Sequence, residues 1–299
     1  MQKKFLSSLL LLLSLNLLIK PAWIFGIDLE VQNRVGAAQY GLYAAILSFT
    51  YIFNIILDLG LTHFNNQAIA RQPAEVAKNF SKLTSLKVFL GLVYLLVAVV
   101  IGWFLGYTSH TFLLLLVLTV SQFLASFLLF LRSHLAGLHL FKTDSLMSVL
   151  DKLLMIITCS VLLFTELLPR DFTVVDFALA QLGSYLLAVL IAFVLVLQKA
   201  RVFNWNFDLK DYLRNLKLSF PYALLIFLMA MYTRVDSIML EQIKGAFEAG
   251  IYAQAFRLLD AVNQVGYLFS VLLLLCSQRC LPARKILYIS PDFPSASFL

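Results

Sequence analysis

The chain has 299 residues, of which 61% are hydrophobic and only 13% charged. A soluble globular domain carries about a quarter charged residues, so this composition excludes an ordinary water-soluble fold and makes lipid the solvent for most of the chain. The net charge of +7 would suit a nucleic-acid partner, but its distribution along the chain assigns it to membrane topology, and three cysteines imply no disulfide framework.

A helix needs about 20 apolar residues to cross a bilayer core. Eight stretches meet that requirement: 5–27, 40–62, 83–106, 111–131, 146–168, 174–197, 218–240 and 249–275. The alternating ten-residue strands of a barrel are absent, so the predicted fold class is all-α, a polytopic transmembrane helical bundle. Lys3 and Lys4 ahead of a Leu-rich run resemble a secretory signal peptide. However, the apolar run continues through Trp23, Ile24 and Phe25, and no small-x-small cleavage site follows, so an uncleaved first span is expected. Pro21 lacks the N–H that would pair with the Leu17 carbonyl, and a kink is expected there.

With eight spans both termini share one side of the membrane. Fifteen Lys and Arg residues, from Lys3 and Lys4 to Arg284 and Lys285, collect on that side, against Arg34, Arg170 and Lys244 on the other. The positive-inside rule makes the basic side, with both termini, cytoplasmic. The loops are too short for an extramembrane catalytic domain. The longest, 63–82 and 198–217, read either as segments lying along the cytoplasmic surface or as solvated linkers. The outer-loop acids Asp28, Glu30, Glu166, Asp171, Glu241 and Glu248 have no room to fold an acid–base site, and His134 and His139 are five apart rather than at a helical metal spacing. The expectation is a protein that is not an enzyme and holds no metal or cofactor.

Self-comparison reveals a repeat. Gly36-Ala37-Ala38-Gln39-Tyr40-Gly41-Leu42-Tyr43-Ala44 is echoed by Gly245-Ala246-Phe247-Glu248-Ala249-Gly250-Ile251-Tyr252-Ala253, an offset of 209 that also places Asn54 on Asn263. Spans 7 and 8 therefore correspond to spans 1 and 2, and parallel repeats of this kind occur in transporters built as two bundles around a central site.

These residues resemble the polysaccharide (O-antigen, lipopolysaccharide) flippases of the multidrug/oligosaccharidyl-lipid/polysaccharide exporter superfamily. The resemblance is carried by Leu17-Leu18-Ile19-Lys20-Pro21, by Val35-Gly36 to Tyr40-Gly41-Leu42-Tyr43, and by Asp58-Leu59-Gly60-Leu61. It recurs in Arg234-Val235-Asp236 with Met239-Leu240 and in Ala249-Gly250-Ile251-Tyr252. It implies two six-helix lobes enclosing a cavity and movement of undecaprenyl-diphosphate-linked oligosaccharide from the inner to the outer leaflet. It also implies polysaccharide polymerase and glycosyltransferases of the same pathway as partners, beside membrane lipids. A multidrug exporter of the same superfamily is the alternative, and its cavity would be lined by acids rather than cations.

An ionisable group at the bilayer centre costs roughly 2.5–3.5 kcal/mol on insertion scales, so such groups face a cavity or a partner. Lys20, about 10 Å of helix from the outer end of its span, is the leading substrate-facing cation, with Arg234 and Arg257 as further substrate-binding residues expected to share one cavity with it. Asn54, Asp58, Gln254, Asp260 and Asn263 are candidate polar lining. Arg257 and Asp260, spaced i, i+3, are equally compatible with an internal salt bridge. Asp58 and Asn54, at i, i+4, read as lobe-ordering or cation-coupling groups. Lys87 and Lys152 lie near the cytoplasmic ends of their spans, where snorkelling accounts for them.

The predicted organisation is a first six-helix lobe at 1–200, an interfacial linker at 201–217, two spans of a second lobe at 218–275, and an aberrant tail at 276–299, too short and too interrupted by Pro291 and Pro294 to span. The expectation is a chain truncated within its second lobe that does not transport alone.

Overall fold

A computed structural model describes residues 14–59, 62, 76–104, 106–107, 109–138, 140–165, 172–200, 209–259 and 262–263. The chain divides into two compact units, Met1–Phe256 and Arg257–Leu299. Every regular element among the described residues is helical, as the composition requires.

In the first unit residues 14–21 are helical and pass through Pro21 into a π-helical segment, Ala22–Asp28. Pro21 keeps helical angles (φ −63°, ψ −39°), and the Leu29 N–H bonds to the Ile24 carbonyl five residues back. The irregularity expected at Pro21 thus takes the form of a widened turn directly after it, a common way to absorb a local misfit in a helix. Helix α1, Leu29–Ile52, is interrupted at Gly36 (φ 81°, ψ 161°), a region open essentially only to glycine, and the break falls between the stretches expected as spans 1 and 2. A second break at Phe53 separates α1 from α2, Asn54–Asp58, which Leu59 closes in the left-handed conformation. At that break the Tyr94 hydroxyl donates to the Thr50 carbonyl at 3.1 Å.

Helices α3 (Val76–Phe104), α4 (Ser109–Gly137), α5 (Phe141–Phe164) and α6 (Val174–Ala200) follow. Their segments Phe80–Phe104, Thr111–Ala136, Lys142–Phe164 and Val174–Gln198 are each long and apolar enough to cross a membrane. These four match spans 3 to 6 of the sequence reading. The described residues of the remaining expected spans are helical except Phe53 and Leu59 in span 2. Leu92, Leu96 and Val100 form an outward apolar stripe on α3, the face lipid would cover. Inside, Ser85, Thr119, Ser121 and Ser184 each bond the carbonyl four residues back, which satisfies hydroxyls that have no water to meet. Thr173 and Asp176 cap the start of α6 reciprocally.

Two apolar cores result among the described residues. One gathers Trp23, Tyr40, Tyr43 and Phe49 around Leu118, Met155 and Phe177; the other packs Phe80, Leu86 and Leu90 against Phe127, Phe130 and Val196. Tyr43 donates to Gln181 at 2.8 Å and Tyr40 to Asp28 at 3.1 Å, so the tyrosines of the repeated motif tie span 2 to spans 6 and 1.

Helix α7, Leu209–Lys244, has 36 residues and ends at Gly245, whose φ is +91°. Residues 209–217, read from sequence as part of a linker, are helical and continue into span 7 without interruption. Helix α8 comprises residues 246–256. It crosses α1 at unusually close range: a Cβ added to Gly41 would stand 1.8 Å from the Ala246 carbonyl oxygen, and one added to Gly250 would stand 1.9 Å from that of Ala37. In the second unit residues 257–259 and 262–263 are helical.

Candidate functional site

Helix residues 14–21 and α5 run side by side in fixed register. Asn16 Nδ2 donates to Ser148 Oγ at 3.1 Å. One turn further along each helix stand Lys20 and Lys152, close enough to repel each other. Both are half-buried rather than sealed in the core. Lys152 Nζ lies 5.6 Å from the Trp23 ring centroid and 5.5 Å from that of Tyr185, whose hydroxyl it reaches at 3.4 Å. Two aromatic faces therefore hold the ammonium by cation–π attraction in a place with little water. Asp151 Oδ2 is 3.6 Å away, and its carboxylate also acts on Lys20.

The cluster extends in two directions. Arg132 on α4 acts on Lys20 and pairs with Asp144 at 2.9 Å. Tyr51 on α1 is within electrostatic reach of Lys152 and Tyr185, and the Arg234 guanidinium of α7 lies over the Tyr51 ring at 4.9 Å and over Phe256 at 5.5 Å. Lys20, Lys152, Arg132 and Arg234 thus meet two carboxylates, Asp144 and Asp151, and four aromatic faces, Trp23, Tyr51, Tyr185 and Phe256. Such a set attracts anions and offers flat apolar surfaces beside them.

Of the residues chosen from sequence, Lys20 and Arg234 are linked through Lys152 and Tyr51. Arg257 stands half-buried in the second unit. Gln254 is half-buried on α8, Asn263 is exposed in the second unit, and Asp260 lies outside the described residues. Asn54 and Asp58 belong to a separate place, the packing of α2 on α3. There Lys87 Nζ is 2.6 Å from Asp58 Oδ1, Thr62 bonds the same carboxylate, and Lys87 has 0% of its side chain exposed. The Asn54 Oδ1 is buried there with no hydrogen-bond partner among the described residues. The cation beside Asp58 is thus a lysine of the chain itself. Asp236, exposed at the far end of α7, accepts from Tyr252 at 3.3 Å.

Lys152 is the residue the sequence reading passed over. Its distance from the helix end suits snorkelling, yet its ammonium turns toward Trp23 and Tyr185. One signal pointed to it: Lys152 lies in the fifth span, which runs in the same direction as the first, with Ser148 one turn before it just as Asn16 precedes Lys20.

The polysaccharide biosynthesis protein family model matches residues 25–273. The chain belongs to that family. The match takes in α1 to α8, with Lys152, Tyr185, Tyr51 and Arg234, whereas Lys20 lies just ahead of it. Comparison with curated proteins and with solved structures gives no significant match. The family and the apolar helices together make this a membrane protein of polysaccharide biosynthesis.

Proposed function

We propose that the chain belongs to a carrier, not an enzyme, that moves lipid-linked oligosaccharide, a sugar unit on undecaprenyl diphosphate, across the bacterial inner membrane by alternating access. The observation that carries this reading is the Lys20–Lys152 pair bordered by Trp23, Tyr185 and Tyr51. A diphosphate must leave the interface and enter a low-dielectric region, where its charge is costly unless fixed cations receive it. Two ammonium groups one turn along neighbouring helices present point charges to two phosphates, and Arg234 adds a forked donor. Sugar rings have apolar faces that stack on aromatic rings, which three aromatic residues supply.

In this reading the N-terminus is cytoplasmic, and the glycosyltransferases and polymerase of the pathway act before and after the carrier. Lys20, Lys152 and Arg234 bind the headgroup, with Gln254 as a further candidate in the same unit. Purified chain in detergent, titrated with undecaprenyl diphosphate, tests the assignment. Binding should weaken on Lys152→Ala and on Lys20→Ala, and a lipophilic organic cation should not compete. Undiminished binding in both variants would reject the site, and preferential binding of the cation would support the multidrug-exporter alternative.

A further inference from the structure

Gly41 and Gly250 are 209 residues apart, and so are Ala37 and Ala246. The Ala246 carbonyl meets Gly41, and the Ala37 carbonyl meets Gly250, at near-equal hypothetical Cβ distances of 1.8 and 1.9 Å. The contact maps onto itself when the two repeats are exchanged, so the pseudo-two-fold axis relating them passes between these glycines. We propose that this crossing is the closure over the Lys20–Lys152 cluster on the outer side of the membrane, a backbone-on-backbone seal that parts when the repeats rotate about their common axis. The inference rests on the carrier reading of the site.

Three features support it. First comes position. From Gly41, α1 runs ten residues, about 15 Å, down to Tyr51, which is within electrostatic reach of Lys152 and carries Arg234 on its ring. The charge asymmetry of the loops puts the Gly41 end outside. The second is the chemistry of the contact. Neither glycine has a side chain to interlock, so the crossing is held by weak backbone contacts, and separating the helices there withdraws no knob from a hole. The third is the pivot. Gly36 and Gly245 stand five residues before the two contact glycines, both with positive φ, and backbone of this kind changes angle without the steric penalty of a Cβ.

The test reads accessibility and involves no substrate, so its failure and the failure of the substrate assignment are separable. Tyr51→Cys is introduced with Cys159, Cys276 and Cys280 replaced by serine, and a membrane-impermeant maleimide is applied to intact cells and to inverted vesicles. The expected result is labelling from the cytoplasmic side and little from outside. Gly41→Ala should raise outside labelling roughly tenfold or more, the effect of about 1.4 kcal/mol lost from the closed state. Ala253→Val, a wedge at a buried position one turn further along α8, serves where Gly41→Ala fails to accumulate. Gly183→Ala, where a Cβ meets nothing within 4 Å, should change nothing. Strong outside labelling of the parent, or no rise with either wedge, overturns the proposal.

Discussion

Asn16 and Ser148 are joined by a 3.1 Å hydrogen bond four residues, about one helical turn, before the two lysines of the candidate site. A neutral bond thereby sets the register that brings Lys20 and Lys152 side by side, where their mutual repulsion would otherwise separate them. Ser148→Ala should therefore weaken binding of undecaprenyl diphosphate without altering any charge, by the factor of about 2 to 12 that corresponds to the roughly 0.5–1.5 kcal/mol of one such bond. Lys152→Ala should cost more than Ser148→Ala in the same titration. Equal affinities for the two variants would show that the register plays no part.

Gly36 is predicted to resist substitution for conformational reasons alone. A Cβ there meets no atom within 4 Å, yet φ 81° and ψ 161° lie where L-residues pay about 1–3 kcal/mol. Gly36→Ala should lower the melting temperature of the detergent-solubilised protein, and Gly245→Ala, at φ 91°, should do likewise. Gly183→Ala, in open space within α6, should leave it unchanged or raise it slightly.

The Lys87–Asp58 pair offers a sharper contrast. Lys87→Met strands the Asp58 carboxylate between α2 and α3 and should destabilise the protein by about 3–5 kcal/mol, whereas Lys87→Met with Asp58→Leu removes both charges and should recover most of that loss. Thermal unfolding of the two variants measures the difference. A double variant no more stable than the single one would mean that the pair does more than neutralise itself.

Topology is open to a direct check. Reporter fusions after Lys142 should report the cytoplasm, and fusions after Arg170 the outside. The opposite pattern would invert the positive-inside assignment and with it the side on which the Gly41–Gly250 crossing closes.

Helical class, the four central spans and the repeat were all legible before any coordinates, because each rests on local pattern: apolar length for the spans, and glycine spacing at 36, 41, 245 and 250 for the repeat. That those glycines would adopt positive φ in one pair and meet face to face in the other follows from the repeat only once the chain is folded. The site was legible in part. Lys20 and Arg234 stood out as charges deep in apolar sequence, but no local pattern says that Tyr51 lies between Arg234 and Lys152. Lys152 was hidden by a reach argument: a lysine near a helix end is free to extend to water, and what turns it inward is Trp23 and Tyr185, residues far away in the chain. The partner of Asp58 was hidden in the same way, since Lys87 sits on the next long helix.

The length of α7 has a mechanical consequence. Thirty-six helical residues make a rod of about 54 Å, against a hydrocarbon core of about 30 Å. The rod is joined at one end to Gly245 and carries Arg234 about 16 Å from that joint, with Leu209 at its far end. Each degree of tilt about Gly245 displaces the Leu209 end by about 1 Å but moves Arg234 by only about 0.3 Å, as the proportions of such a helix dictate. The helix is a lever with its short arm in the candidate site, so small adjustments around Tyr51 emerge, magnified more than threefold, at the opposite end of the rod.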